Sequence, residues 1–402
     1  MSARIPVGRS TFGTYVSTVC GNEAFVPSPL SQSLVLDNAV QKALDEAGSA
    51  LAALSQAYGS VHLQGVLGGM LCQQEAVASL SIDGKSVPLF DLYGFRAGMP
   101  SATHCEYAYL ADLLAETLED ALASTRESLT KEAILTMHLR LFADRAESRE
   151  IGMLRRSQTW VGGDIPQRAS YVPPPPQYIG KCLRDYIAFI GAASNLPALV
   201  RVAMAHYYFE AIHPLFHGNG VIGRIRVALL LKKYGLVTGP VLALSETISL
   251  DVDGYNEALA GVSKRGDMSS WLCFFLTAVA QQAESDRCRV AALDALYTEY
   301  EERLVKVPCK VPEKKLLALL FDNPIVTRDR VQRALGDKYS RPWVTIERLR
   351  STGVVDDLPP GNVRGAYCAL KLMRLLETHQ LKPTHGGQVD SDARSSVSAR
   401  QR

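Results

Sequence analysis

The residues best able to do chemistry lie together in Ala205-His-Tyr-Tyr-Phe-Glu-Ala-Ile-His-Pro-Leu-Phe-His-Gly-Asn-Gly-Val-Ile-Gly-Arg224. Taken residue by residue, a helix ends before Pro214, Gly218-Asn219-Gly220 makes a turn, and a second helix opens near Val221. A glycine-rich turn feeding a helix N-terminus offers several backbone N–H groups and the positive end of the helix dipole, which suits a phosphate. Arg224, one turn into that helix, adds a guanidinium for the same anion. His213, at the end of the preceding helix, stands at the mouth of the turn, where an imidazole can act as general base. The bland alternative is a connecting turn, in which Asn-Gly supplies positive φ and His213 caps a helix.

The elements that must position these residues are mostly helical. Apolar residues recur at three and four positions from Leu34 to about Tyr58, one stripe of a helix. A second helix is expected from Val61 to about Leu80, stopping near Gly84, and a third pattern runs from Tyr107 to about Ala146. Thr159-Trp-Val-Gly-Gly163 and Ala169-Ser-Tyr-Val172 read as a β-hairpin, followed by the stiff run Pro173–Pro176. Helices return at 178–193, 196–212, 221–234, 253–263 and 268–300, so the chain up to residue 305 reads as all-α with one hairpin. Residues 1–33 read as an irregular lead-in. Past Pro312, short helices at Glu313–Phe321, Thr327–Leu335 and Arg341–Ser351 precede a Pro-Pro-Gly turn at 359–361 and a two-stranded wing, the order of a winged helix. The polar stretch 382–402 reads as a disordered tail.

Composition excludes several classes. The chain has 402 residues, 47% hydrophobic and 21% charged, enough for two or three domains with a real core. Basic and acidic residues number 43 and 41, a net charge of +2, so no chain-wide field favours nucleic acid or membrane. No apolar run approaches the ~20 residues of a membrane helix. Eight scattered cysteines, with no CxxC pair or Cys/His cluster, suit small apolar roles in a reducing compartment, and the chain reads as cytoplasmic.

The order His-Pro, Gly-Asn-Gly and Arg at these offsets resembles the Fic (filamentation induced by cAMP) family of AMP transferases, whose motif is His-Pro-Phe-x-(Asp/Glu)-Gly-Asn-Gly-Arg-x-x-Arg. Glu75-Ala-Val-Ala-Ser79 to Ile82-Asp-Gly84 is similar to the family's inhibitory helix, which carries Ser-x-x-x-Glu-Gly. Arg155, Gln158-Thr-Trp-Val-Gly-Gly163 and Val172-Pro-Pro-Pro-Pro176 match its target-docking flap. The resemblance covers about residues 24–376. It implies a mainly α Fic-type helical bundle with a β-hairpin flap and a C-terminal winged-helix domain. The parts would be an N-terminal helical region at 1–105, a Fic core at 106–305 and the winged helix at 312–378.

The resemblance also implies roles. His213 would take the proton of a target Ser, Thr or Tyr hydroxyl as it attacks the α-phosphorus of ATP. Gly218, Asn219 and Gly220 would form the anion hole, and Arg224 would hold the β/γ-phosphates. Tyr255 would lie beside the nucleotide, with Asn256 in place of a second family tyrosine. Ser79 and Asp83 would be regulatory, the aspartate being one methylene shorter than the family's glutamate. The implied partners are ATP, a target protein held by the flap and a second copy of the chain, with no membrane.

The sequence also departs from the pattern. The family's Mg²⁺-holding carboxylate is His217, and a neutral imidazole is a poor ligand for that hard cation, so no metal ligand is assigned. The first motif arginine is Val221, and the motif phenylalanine is Leu215, followed by Phe216. These changes admit two further readings: an inactive Fic-fold regulator acting through nucleotide, protein or DNA binding, and transfer of another phosphate-containing group. DNA contact would use the winged helix, where 12 basic and 8 acidic residues give +4 and Arg341, Arg348, Arg350 and Arg364 lie on the third helix and wing.

Overall fold

The computed structural model describes residues 10–18, 21–61, 66–99, 107–124, 129–144, 150–238, 242–307, 311–336, 341–358 and 365–378. The tail 382–402, Arg364 and the tip of the wing fall outside them. The architecture is mainly helical, as the sequence implies. The lead-in carries strands β1 (Gly13–Ser17) and β2 (Glu23–Pro27), paired antiparallel where an irregular segment was expected. Phe25 and Ala24 of β2 are buried, and the Phe25 N–H donates to the Val172 carbonyl, so this hairpin seals the root of the flap segment.

Helix α1 (Asn38–Ser60) starts where the Asp37 carboxylate accepts from the Val40 N–H, and its stripe Val40, Ala43, Ala47, Leu51, Leu54 is buried. Next come α2 (Leu67–Ile82) and α3 (Leu89–Arg96). The single pattern read over 107–146 is two helices, α4 (Ala108–Ala123) and α5 (Lys131–Phe142). Thr130 separates them by capping α5, its hydroxyl accepting from the Ala133 N–H. Then follow α6 (Pro176–Gly191), α7 (Ala198–Ile212), α8 (Asn219–Lys233), the short α9 (Leu244–Ser249), α10 (Val252–Arg265) and α11 (Met268–Val305). At 38 residues α11 is about 57 Å long and forms a spine along which α1 lies. Helices α7 and α8 are buried almost all round, which fits their near-continuous apolar sequence.

The C-terminal part runs α12 (Glu313–Asp322), β3 (Ile325–Thr327), α13 (Arg328–Leu335), α14 (Pro342–Ser351), β4 (Asp356–Asp357), β5 (Ala366–Cys368) and α15 (Leu370–Glu377). Its antiparallel sheet has the order β3-β5-β4, and β3, between the first two helices, is a strand beyond the two-stranded wing read in the sequence. One hydrophobic cluster runs from Val40 to Leu376 and joins this part to the rest. Polar ties cross the junction as well: the Gln74 amide donates to the Leu376 carbonyl and the Asn323 amide to that of Tyr93, both at 2.9 Å.

The flap differs from the hairpin read in the sequence. Only Val161 and Tyr171 pair, and a 3-10 turn at Pro166–Arg168 lies between them. Gly162 and Gly163 take φ of 70° and 75°, left-handed backbone that ends the pairing at once. Trp160 is exposed rather than packed.

Candidate functional site

The two halves of the motif are α7 and α8, and the loop between them is fixed at three points. At the end of α7, His213 turns the chain with φ 48° and ψ 60°, its N–H donating to the Phe209 carbonyl. Few non-glycine residues adopt this left-handed conformation, and it persists only where the surroundings impose it. Arg155, 2% exposed, is what imposes it. Its Nε donates to the His213 carbonyl at 2.7 Å and its Nη2 to the Pro174 carbonyl at 2.6 Å, while its own N–H reaches the Pro214 carbonyl. Nη1 donates to the Ser157 carbonyl at 3.0 Å, so one guanidinium ties the motif loop to both ends of the flap. The Tyr171 hydroxyl adds a further tie, donating to the Ala211 carbonyl at 2.7 Å.

The second fixed point is Asn219. Its carboxamide accepts from the Leu215 N–H and donates to the Leu215 carbonyl, both at 2.9 Å. The side chain read as part of an anion hole is thus engaged with the loop it closes, and the backbone of the turn is left as the anion-facing surface. Leu215 is in the core and Phe216 half-buried, so the core contact falls to Leu215. Val221, at the first arginine position of the motif, is also in the core.

The third point is a histidine pair: His138 Nε2 lies 3.1 Å from His217 Nδ1, and Phe142 packs on both rings at 5.2 and 4.7 Å.

Burial, and then the positive charge of Arg155, push the His213 imidazole down to about 4. It is therefore neutral near pH 7 and able to accept a proton. Across the turn, Arg224 is 4% exposed and held by α2 and its C-cap through two of its nitrogens. Its Nε donates to the Ser79 hydroxyl at 2.7 Å, and its Nη2 donates to the Ser79 carbonyl at 2.7 Å and to Asp83 Oδ1 at 2.9 Å. Burial works against the arginine's charge, but the Asp83 carboxylate outweighs it and holds the guanidinium above its usual pKa. A Cβ on Gly220 would lie 2.7 Å from Arg224 Nη1 and 3.2 Å from Asp83 Oδ1, so this ion pair lies directly on the turn. The shorter aspartate reaches the arginine without a water because Gly220 leaves that space open.

Two carboxylates frame this arrangement. Glu75 anchors α2 to α9, accepting from the Ser245 N–H at 2.9 Å and the Ser245 hydroxyl at 2.5 Å, and burial raises its carboxyl to about 7. Glu210, near the end of α7, makes no ion pair among the described residues. Its Oε1 is buried without a hydrogen-bond partner and lies against Gly223, and burial raises it to about 7.

Of the sequence-derived residues, His213, Gly218, Asn219, Gly220, Arg224, Ser79 and Asp83 come together. Tyr255 and Asn256 do not form a nucleotide-side pair. Tyr255 is buried behind Arg224, its hydroxyl 2.8 Å from His206 Nε2, and Asn256, one position along α10, is exposed. Adjacent residues on a helix diverge by about 100°, which separates the two. Arg155, Tyr171 and the His138–His217 pair were not singled out for these roles. Only His138 left a trace, as the one polar residue on the buried stripe Ile134, Met137, His138, Leu141, Phe142. Among the described residues, no group of three or more His, Cys, Asp or Glu is placed to hold a metal ion, and no helix is long and apolar enough to cross a membrane.

Residues 128–231 match the Fic/DOC family. The protein adenylyltransferase fic-1 of Caenorhabditis elegans is 29% identical over 128 residues, 31% of this chain and 23% of the relative. The protein adenylyltransferase Fic of Drosophila virilis is 30% identical over 202 residues, 48% of this chain and 37% of the relative. The chain thus spans well under half the length of either. A crystal structure of a Fic family protein from Desulfovibrio desulfuricans G20 superposes with a TM-score of 0.55 at 18% identity, covering 84% of this chain and 98% of that one, and so shares the fold. The match at 128–231 includes the left-handed histidine, the turn and the arginine, and residues 128–231 of this chain are a Fic/DOC family domain.

Proposed function

We propose that the chain is a Fic-type protein adenylyltransferase held in an autoinhibited state. One arrangement carries the reading: a neutral His213 and a backbone anion turn on one side, and on the other Arg224, the cation of that turn, closed by Ser79 and Asp83. In the reaction, His213 takes the proton of a target Ser, Thr or Tyr hydroxyl. The oxygen attacks the α-phosphorus of ATP, and pyrophosphate leaves. The N–H groups of the Gly218–Gly220 turn and the α8 dipole hold the β-phosphate. Arg224 takes the β/γ-phosphates once Asp83 withdraws. The names of the two relatives favour the same chemistry. The exposed Trp160, Val161 and Ile165 on the flap suit a target segment bound through its backbone. Mg²⁺, the family's ion, does not fit the donors present, since His217 stands in its carboxylate position.

The experiment is intact-mass spectrometry of the parent chain and Asp83→Gly after incubation with ATP. Addition of one AMP to the Asp83→Gly chain or a supplied target is expected, with less on the parent. An Asp83→Gly chain that neither gains AMP nor binds ATP overturns the reading.

The regulator reading draws on the C-terminal part, which touches the inhibitory helix through Gln74 and Leu376. DNA as its partner loses one phosphate contact, because Arg348 of α14 turns inward while Arg350 stays exposed but paired with acidic residues. Arg348 is buried against the Leu304 and Val311 carbonyls and pairs with Glu313 at 3.0 Å, and Arg350 pairs with Asp357 and Glu347.

A further inference from the structure

We propose that a cationic groove at the root of the flap docks an acidic segment, interspersed with aliphatic residues, of the protein that receives AMP. The inference rests on the adenylyltransferase reading for what the partner is; the groove itself is read from its own residues.

The groove lies between the start of α5 and one face of α6, reaches the last residue of α8, and measures about 690 Å³. Its floor is aliphatic, formed by Leu129, Leu154, Leu183, Ile187 and Ile190. Lys131 and Leu154 also line a second hollow of about 540 Å³, which Arg156 and Pro176 border. Those two residues flank the flap segment in sequence, so the hollow sits at the root of the flap and the groove continues from it.

Charge selects the occupant. Lys131, Arg156 and Arg184 are exposed and make no ion pair among the described residues. Lys233 stands at the far end, its Nζ donating to the Ile190 carbonyl at 2.7 Å. Close to that end are two buried arginines that meet no carboxylate among the described residues. Arg226 donates to the Tyr186 hydroxyl and the Leu129 carbonyl, and Arg201 to the carbonyls of Phe189 and Ala192. Arg226 Nη1 is buried without a hydrogen-bond partner. Burial, and then the charges of Arg201 and Arg226, hold the Lys233 ammonium below its ordinary pKa. Among the described residues lining the groove, Glu132 is the one carboxylate. Nearby, Asp185 is taken by Lys181 at 2.9 Å, and Glu150 by the Arg156 N–H and the Ser157 hydroxyl. Cations gathered without counter-charges attract an anionic partner and repel a basic one. No aromatic side chain lines either hollow, so nucleic-acid bases find nothing to stack on, whereas the aliphatic floor suits the side chains of a peptide.

Fluorescence polarisation on the full chain, without ATP, tests the groove with a labelled peptide alternating Glu and Leu and its Gln–Leu counterpart of equal length. The Glu–Leu peptide should bind about tenfold more tightly or better, and added salt should weaken it. Lys131→Glu combined with Arg184→Glu should lower its affinity by about tenfold, because two attractions become repulsions, with thermal melting unchanged. Lys42→Glu, on the exposed face of α1, should leave it unaltered. A Glu–Leu peptide bound no better than the Gln–Leu one, or bound equally by the charge-reversed groove, overturns the inference. So does binding of phosphatidylserine vesicles or of an oligonucleotide through Lys131 and Arg184 in place of the peptide. For Asp83→Gly with ATP, a threonine peptide extended by the Glu–Leu segment should show a KM about tenfold lower than the bare peptide at equal kcat, and the charge reversal should remove that gain. Transfer whose KM ignores the segment removes this inference and leaves the adenylyltransferase reading standing. Groove-dependent peptide binding with no transfer by any variant removes that reading and leaves the docking groove.

Discussion

On the His213 flank of the turn, the restraints end on backbone groups. Arg155 reaches the His213 and Pro174 carbonyls, Tyr171 reaches that of Ala211, and the imidazole itself is neutral and not paired to a charge. On the Arg224 flank the restraints end on the functional group: two nitrogens of the guanidinium are held by Ser79 and Asp83. Under the proposed reaction, the first flank keeps a proton acceptor available and the second is closed to the nucleotide. Inhibition in such a site acts on nucleotide binding and leaves the proton acceptor in place, so the two flanks should respond differently to substitution.

The largest effect is expected from His213→Ala on transfer by an Asp83→Gly chain: a loss of about 10²–10⁴-fold, the usual contribution of a general base, with thermal stability and ATP affinity nearly unchanged. Transfer rates that survive this substitution would remove the base from the mechanism. Arg155→Met should instead act on folding. It leaves several buried carbonyls without a donor, at about 1–3 kcal/mol each, so denaturant unfolding should show a loss of ~3 kcal/mol or more. A loss under 1 kcal/mol would mean that the left-handed His213 needs no clamp.

The pH profile distinguishes the flanks next. A base held down to about 4 is unprotonated above that pH. Transfer by Asp83→Gly should stay level from neutral pH to about 5, then fall about tenfold per pH unit below 4 while circular dichroism still reports a folded chain. An acid limb near 6.5 would place the imidazole in a more solvated setting than the structure has.

Asp83→Gly itself should raise ATP affinity about 5–30-fold, the range for a partly desolvated bridge of ~1–2 kcal/mol, because the carboxylate contacts Arg224 directly. Calorimetry checks it, and equal affinities would mean the bridge does not compete with the phosphates. The smallest effect belongs to Ser79→Ala. It removes one neutral acceptor and should raise ATP affinity by about two- to fivefold, in line with a hydrogen bond of ~0.5–1 kcal/mol. If Ser79→Ala exceeds Asp83→Gly, the serine and not the charge is the main lock.

What the sequence determined by itself was local. Pro214 ends one helix, the glycines of the turn open the next, and the apolar stripes of α1, α7, α8 and α11 place each helix to within a few residues, because each of these signals acts within a turn or two of chain. The resemblance to the family's motif and inhibitory helix also singled out His213, Arg224, Ser79 and Asp83. Only the tertiary structure decided how they meet. The Asp83–Arg224 bridge joins residues 141 apart, the His138–His217 pair residues 79 apart, and the Arg155 clamp on His213 residues 58 apart. Such contacts depend on how helices cross and on space such as that left by Gly220, which hydrophobic periodicity does not encode. The same cause explains Tyr255, for which the family resemblance implied a nucleotide contact but whose ring is buried among His206 and Trp271. It explains the flap as well, where strand-prone residues pair only once because two left-handed glycines turn the chain before a second pair can form.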